Sequence, residues 1–279
     1  MYCDLHTHSL YSDGSFTPAQ IIAQAKELNL TVALTDHNTV SGLPEFMAEA
    51  EKQGVRAVPG IEFSTLWGKT ELHLVGLFVA PEHYGALEQV AQEFHALKEA
   101  SNIQLTERLN AAGYAIDYDE IRRRNPGGNI NRAHIAVELL RLGHVSSVQE
   151  AFDTLLGEEH GYYVPCRRLD IRDAIRLLRS IHAVPILAHP LQDLTEPELR
   201  QALPELIDAG LLAMETHHSS YDDETIALAT QIAGEFCLLP SGGSDFHGQA
   251  KPDIRLGVGK GNLRIPLSFF ESLKAKSKE

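Results

Sequence analysis

Apolar positions along the chain fall alternately into short, strand-length runs and longer stretches with helical spacing. Tyr2 to Thr7 predicts a first strand. Thr17-Pro18 then supplies an N-cap and a first-turn proline for a helix whose Ile21, Ile22, Ala25 and Leu28 share one face. Thr31-Val-Ala-Leu-Thr35 predicts the second strand, Leu43 to Gln53 the next helix with a stop at Gly54, and Val55 to Phe63 the third strand. Further strands are expected at Leu72 to Val79, Val184 to Ala188, Leu211 to Glu215 and Phe236 to Leu239. These runs are apolar almost throughout, as in parallel strands covered on both faces. Seven strands alternating with helices predict an α/β barrel, although periodicity alone leaves an open doubly wound sheet standing.

The spacing breaks between the fourth and fifth strands, where roughly a hundred residues replace a single crossover helix. An inserted helical subdomain is expected over residues 101–168, with the barrel formed by 1–100 and 169–279. The insert carries Arg122-Arg-Arg124, a turn-like Asn125-Pro-Gly-Gly128 and a helix through His134 to Leu142. Arg122 to Arg124 read as an exposed charged face, and Lys276-Ser-Lys-Glu279 as a polar, frayed end.

Composition narrows the possibilities. With 279 residues, 43% hydrophobic and 22% charged, and no long apolar run, the chain reads as globular rather than membrane-spanning. A formal charge of -14 argues against a broad nucleic-acid-binding face, which would need many Lys and Arg contacts to phosphate. Small anionic substrates stay open, because bound cations reverse the local field. The three cysteines, Cys3, Cys166 and Cys237, lack metal-knuckle or redox spacing. No basic leader precedes the first strand, so a cytoplasmic protein is expected, and no segment suggests an obligate protein partner.

The 14 histidines need placing. His6 and His8 are two apart in an extended strand and so point to one face, where both imidazoles can reach a single ion. Asp13 follows in the next loop, where Ser12-Asp13-Gly14 would equally make an ordinary turn. Asp36-His37 closes the second strand, Glu62 the third and His189 the fifth, while His73 lies on the fourth and Asp245 with His247 follows the seventh. Each has a plain explanation alone: a hydrogen-bonded core histidine, or an N-cap at Asp36. Together those explanations fail. Burying this many ionisable groups at one end of a barrel without cations would be very unfavourable.

Asp4-Leu-His-Thr-His8, Ser12-Asp-Gly14, Leu34-Thr-Asp-His37, Pro59-Gly-Ile-Glu62, Ala188-His-Pro190 and Gly243-Ser-Asp-Phe-His247 resemble the motifs of the PHP (polymerase and histidinol phosphatase) family, in order and strand-end placement. The resemblance covers nearly the whole barrel. It implies a distorted seven-stranded (β/α)7 barrel with three divalent metals. His6, His8, Glu62 and Asp245 would hold one metal, and Asp13, His37 and His247 a second. His73 and His189 would complete a third site with a bridging Glu62. Many relatives carry histidine where Asp13 stands; a carboxylate makes that site more oxygen-rich and favours manganese, with zinc or iron as alternatives. The insert with Asn131-Arg-Ala-His134 resembles the branch acting on nucleotides or oligonucleotide ends, 3′,5′-nucleoside bisphosphate phosphatases above all.

The implied reaction is phosphomonoester hydrolysis by a hydroxide formed between metals at neutral pH. His217, His218 and Asp36 stand as alternatives for the proton donor to the leaving alkoxide. Arg132 and His134 are expected to grip the phosphate that is not cleaved, since a planar guanidinium binds phosphate through paired hydrogen bonds. Gly242-Gly243-Ser244 could bring backbone N–H groups to phosphate or merely form the bend that aims Asp245 and His247. Rival readings are 5′-3′ exonuclease action on short RNA or DNA ends, histidinol phosphatase, and a non-catalytic metal-binding module like those attached to polymerases. Amidohydrolase-like barrels also carry HxH on the first strand, but they bridge their metals through a modified strand-end lysine, and none is evident here.

Overall fold

The computed structural model describes residues 2–125, 130–261 and 263–277. Most of the expected Asn125-Pro-Gly-Gly128 turn and the last two residues of the polar tail lie outside these. The chain divides into two compact units, Met1–Ala91 with Leu169–Glu279, and Gln92–Arg168.

The first unit is built on eight strands: β1 (Tyr2–Asp4), β2 (Leu30–Leu34), β3 (Ala57–Trp67), β4 (Thr70–Leu77), β5 (Val184–Leu187), β6 (Ala213–His218), β7 (Leu239–Gly243) and β8 (Ile265–Pro266). Their order in the sheet is β7-β6-β5-β4-β3-β2-β1-β8. The sheet nearly closes: Leu5 N–H donates to the Gly242 carbonyl at 3.2 Å, and Thr7 bridges to Phe246 in parallel. The result is a distorted, barrel-like α/β fold. Ala33, Val58, Val75, Ile186 and Ala213 from five strands pack into one cluster with Phe270 and Leu273 of the helix Leu267–Lys276.

Local signals explain most of the elements. Thr17 accepts from Gln20 N–H while the Gln20 side chain accepts from Thr17 N–H, a reciprocal cap that starts the helix Pro18–Glu27. Its buried face is Pro18, Ile21, Ile22 and Ala25; Leu28, expected on that face, is the C-cap residue and is exposed. Gly54, at φ 69°, ends the helix Leu43–Gln53 in the left-handed conformation that glycine adopts freely.

Three expectations are corrected. The fourth strand runs antiparallel to both neighbours, because only Gly68 and Lys69 separate it from β3 and a parallel return needs a crossover of a dozen or more residues. This reversal brings His73, near the start of β4, to the same end of the sheet as the ends of the parallel strands: His73 pairs in register with Ser64. The seventh strand is Leu239–Gly243 rather than Phe236 to Leu239, since Phe236 caps the preceding helix and Cys237 turns at φ 57°. β8 was not anticipated; two residues carry no periodicity, and it pairs antiparallel with β1.

The second unit is helical. The helix Tyr84–Ala111 enters it at Gln92 and runs unbroken past Ser101, and the helices Tyr118–Arg124 and Arg132–Arg141 follow. Leu105, Leu109, Ile121, Ile135, Leu139 and Leu156 share a separate core. Among the described residues no helix is long and apolar enough to cross a membrane.

Closure of the sheet makes a prediction. A Cβ on Gly243 would lie 2.1 Å from the His6 Cβ and 2.6 Å from its backbone nitrogen. Gly243→Ala should therefore destabilise the protein by about 1–3 kcal/mol, seen as an earlier urea midpoint. An unchanged midpoint would contradict the close approach of β7 to β1.

Candidate metal centre

The backbone ladders set the site before any side chain does. His8 N–H donates to Phe246 O at 2.9 Å, Asp245 N–H to His6 O at 3.0 Å, Glu62 N–H to Asp36 O at 3.1 Å, and Ala188 N–H to His73 O at 3.0 Å. Each bond ties one segment bearing an expected ligand to another. His189 and Asp245 occupy unusual backbone conformations, with φ 27° and 57°, the kind of strain that structures sustain at functional sites.

Glu62 is fully buried at the centre. Its Oε2 lies 3.1 Å from His6 Nε2, 3.2 Å from His8 Nε2 and 3.0 Å from His37 Nδ1; its Oε1 lies 3.0 Å from His73 Nδ1 and 3.4 Å from His189 Nε2. Asp245 Oδ1 is 3.2 Å from His8 Nε2, and Asp13 Oδ1 is 3.2 Å from His247 Nε2. All nine residues expected as ligands are thus brought together. Their ligand atoms form four overlapping groups: His8, Asp13, His37 and His247; His6, Glu62 and His189; His6, His8 and Asp245; His37, Glu62 and His73.

Whether these residues fit cations is answered by what their polar atoms lack. Both Glu62 oxygens, both His8 ring nitrogens, His6 Nε2, His37 Nδ1, His73 Nδ1 and His247 Nε2 are buried yet make no hydrogen bond, despite separations of 3.0–3.2 Å for all but His8 Nδ1, which lies 3.8 Å from Asp13 Oδ1. Buried polar atoms are almost always hydrogen-bonded, so donors that converge without bonding mark common points for a bound ion. The fit is good.

Electrostatics tell the same story. Burial opposes a charge on His6, but Glu62 and Glu215 hold its pKa well above the histidine range. His8 is likewise raised against burial to about 9 by Asp245 and Glu62, His73 to about 10 by Glu62, and His189 to about 9 by Asp193 and Glu62. Burial pushes Glu62 up, yet His37, His6 and His73 hold it well below the carboxylate range. His37 is lowered, burial outweighing Glu62.

The remaining expected residues separate. Asp36 accepts from Ser9 N–H at 2.7 Å, from Ser9 Oγ at 2.6 Å and from Ser12 Oγ at 2.6 Å, so it holds the loop leading to Asp13 rather than standing ready as a proton donor. His217 turns to Phe269, ring centroids 5.3 Å apart, and its pKa is lowered by burial; it is not in the cluster. His218 does reach it, with Nε2 3.7 Å from Asp245 Oδ2. A register shift between Glu215 and His217 allows this, because a bulge turns Glu215 and His218, three apart, to the same side. Gly242 and Gly243 lie within β7, where a Cβ would strike His217 O and His6, so close strand packing explains them without a phosphate. Arg132 and His134 lie in the second unit. Arg132 donates to Leu156 O at 3.1 Å and stacks over Tyr163 at 4.1 Å, while His134 Nδ1 accepts from Asn131 N–H at 3.1 Å in a cap.

Four functional residues escaped the sequence reading. Glu215 Oε1 is 2.9 Å from His6 Nδ1. Asp193 Oδ2 is 3.3 Å from His189 Nδ1, Lys251 Nζ is 2.8 Å from Asp245 Oδ2, and Asp4 accepts from Ser244 N–H at 2.8 Å and Gly257 N–H at 2.7 Å. Only Asp4 carried a signal, as part of the first motif.

The model of the PHP domain family matches residues 4–163. A 5′-3′ exoribonuclease of Haemophilus influenzae is 31% identical over 246 residues, 88% of this chain and 89% of that protein. A 3′,5′-nucleoside bisphosphate phosphatase of Chromobacterium violaceum is 30% identical over 251 residues, 88% of this chain and 86% of that protein. The crystal structure of a candidate metal-dependent phosphoesterase from Bifidobacterium adolescentis superposes with a TM-score of 0.73 at 25% identity, covering 98% of this chain and 96% of that one.

The raised histidines make a second prediction. A raised pKa keeps the ring protonated until pH passes the folded value, so at pH 7 in metal-free protein His8, His73 and His189 carry protons that ligation must expel. Calorimetric titration with manganese in buffers of different ionisation enthalpy should show release of at least about two protons per chain, fading as pH approaches 10. No release at pH 7 would contradict this.

Proposed function

The chain belongs to the PHP domain family and is a metal-dependent phosphoesterase, and we propose from that premise that it removes the 3′-phosphate of nucleoside 3′,5′-bisphosphates, giving nucleoside 5′-monophosphate and phosphate. The observation that carries the reading is the convergence of five histidines on buried Glu62. In the proposed arrangement His6, His8 and Asp245 would hold one ion, and Asp13, His37 and His247 a second. His73 and His189 would hold a third with Glu62, which the family pattern also gives to the first. Manganese suits the added carboxylate of Asp13, with zinc and iron(II) as alternatives. Bound there, divalent cations supply charge neutralisation for phosphoryl oxygens and a nucleophile from water at neutral pH.

The chain's own groups do the rest. His218 Nδ1 accepts the Ser220 backbone N–H at 3.2 Å, so Nε2, the nitrogen facing Asp245, is the one left to carry an N–H. From there the Nε2–H donates a hydrogen bond to the departing nucleoside oxygen, which takes its proton from water. Lys251, on the rim beside Asp245, offsets negative charge at the mouth. Asp36 fixes the Ser9–Ser12 turn and with it Asp13.

Support for a nucleotide substrate comes from the relative named as a bisphosphate phosphatase, from the acidic charge of -14, which disfavours long nucleic acid, and from Arg132, whose guanidinium is pre-set by Tyr163. In this reading residues 101–168 are a substrate cap, and Arg132 and His134 hold the phosphate that is kept. Hydrolysis from the 5′ end of short RNA is the second reading, favoured by the relative named as an exoribonuclease.

Phosphate release should be measured across adenosine 3′,5′-bisphosphate, AMP, histidinol phosphate and a 5′-phosphorylated oligoribonucleotide. The bisphosphate should be turned over fastest, and Arg132→Ala should raise its KM at least about tenfold more than that of AMP. Preference for the oligoribonucleotide would favour the second reading, and equal effects on both nucleotides would remove Arg132 from the site. His218→Asn should lower kcat for the bisphosphate by about 100-fold while sparing p-nitrophenyl phosphate, whose leaving group needs no proton. Equal losses on the two substrates would remove His218 from the leaving-group side of the site.

A further inference from the structure

Glu215 is a buried carboxylate, 1% exposed, with its two oxygens committed to different segments. Oε1 lies 2.9 Å from His6 Nδ1, and Oε2 accepts the backbone N–H of His189 at 2.8 Å. We infer that Glu215 is the positioning residue of one half of the metal centre: it decides which nitrogen of His6 faces the first ion and holds His189 where its ring can meet the third. The inference rests on the metal-centre reading above.

An imidazole ligates through a nitrogen that carries no proton, and the hydrogen bond made by the other nitrogen selects which one that is. With Nδ1–H given to Glu215, the bare lone pair of His6 sits on Nε2. That atom is 3.1 Å from Glu62 Oε2 and 3.7 Å from Asp245 Oδ1, and makes no hydrogen bond. His189 has a separate need. Its backbone, at φ 27° and ψ 47°, is sparsely populated for a residue with a side chain. The bond from its N–H to Glu215 holds that conformation, and its ring then presents Nε2 to Glu62 Oε1 at 3.4 Å while Nδ1 faces Asp193 at 3.3 Å. One carboxylate on β6 thereby couples the end of β1 to the end of β5.

The arrangement is partial, which makes it testable. Glu215 orients His6 and His189, which with Glu62 form one ligand group. The group of His8, Asp13, His37 and His247 contains neither residue. Glutamine keeps the shape of glutamate but offers one acceptor where two donors arrive. Either its amide N–H₂ meets His189 N–H, or it meets His6 Nδ1, making that nitrogen the acceptor and moving the ring proton to Nε2.

Glu215→Gln should therefore weaken the manganese ions held through His6 and through His189 by about 10–100-fold, read by calorimetry and metal analysis, with the Asp13 group filling as in the parent protein. Asp13→Asn should show the reverse pattern. Unchanged affinities in Glu215→Gln, or equal weakening of both groups, would overturn the inference. A second measurement needs no variant: in the zinc-loaded parent protein, ¹⁵N-histidine spectra should show His6 coordinated through Nε2 with its Nδ1 proton retained. Coordination through Nδ1 would overturn the proposal whether or not Glu215→Gln folds. Failure of the parent protein to bind any metal would instead remove the metal-centre reading beneath it.

Discussion

A carboxylate with no solvent and no hydrogen bond is one of the most unfavourable groups a fold can bury, and Glu62 is such a group, ringed by His6, His8, His37, His73 and His189. Much else follows from it. The five rings come from the segment after β1, the loop after β2, β4 and the segment after β5, so the sheet must bring the ends of these strands to one place. The reversal of β4 is part of that requirement: a parallel fourth strand would carry His73 to the opposite end. Near closure between β7 and β1 is another part, because it places Asp245 and His247 against His6 and His8.

Around this centre lies a layer of groups that aim the ligands. Glu215 and Asp193 take the far nitrogens of His6 and His189, Asp4 fixes Ser244 beside Asp245, and Asp36 pins the turn before Asp13. Bonds to neighbouring segments hold the strained conformations, His189 N–H to Glu215 and Asp245 N–H to the His6 carbonyl. The layer also shows why carboxylates in one small volume behave differently: Asp36 and Asp4 answer backbone and hydroxyl donors, Glu62 answers imidazoles, and Asp245 answers imidazoles and Lys251.

The metal-ligand motifs and most strands could be read directly, because strand ends and HxH spacing leave local marks in the sequence. What stayed hidden was non-local. The direction of β4 depends on a two-residue turn whose effect only pairing reveals, and β8 is too short to show a pattern. Glu215 lies in a run of apolar strand residues with no spacing that links it to His6, 209 positions away. His217 and His218 are adjacent and chemically identical; only the bulge in β6 decides that the second faces the site. Asp36 has the composition of an acid and the contacts of a loop anchor.

The central claim is that Glu62 is shared between cations. Metal analysis of the protein purified from manganese-supplemented medium, beside Glu62→Gln, tests it most directly. The account predicts about three ions per chain in the parent protein and loss of more than one in Glu62→Gln, since the residue joins two ligand groups. A parent protein without stoichiometric metal, or a Glu62→Gln variant that keeps its full complement, would contradict it.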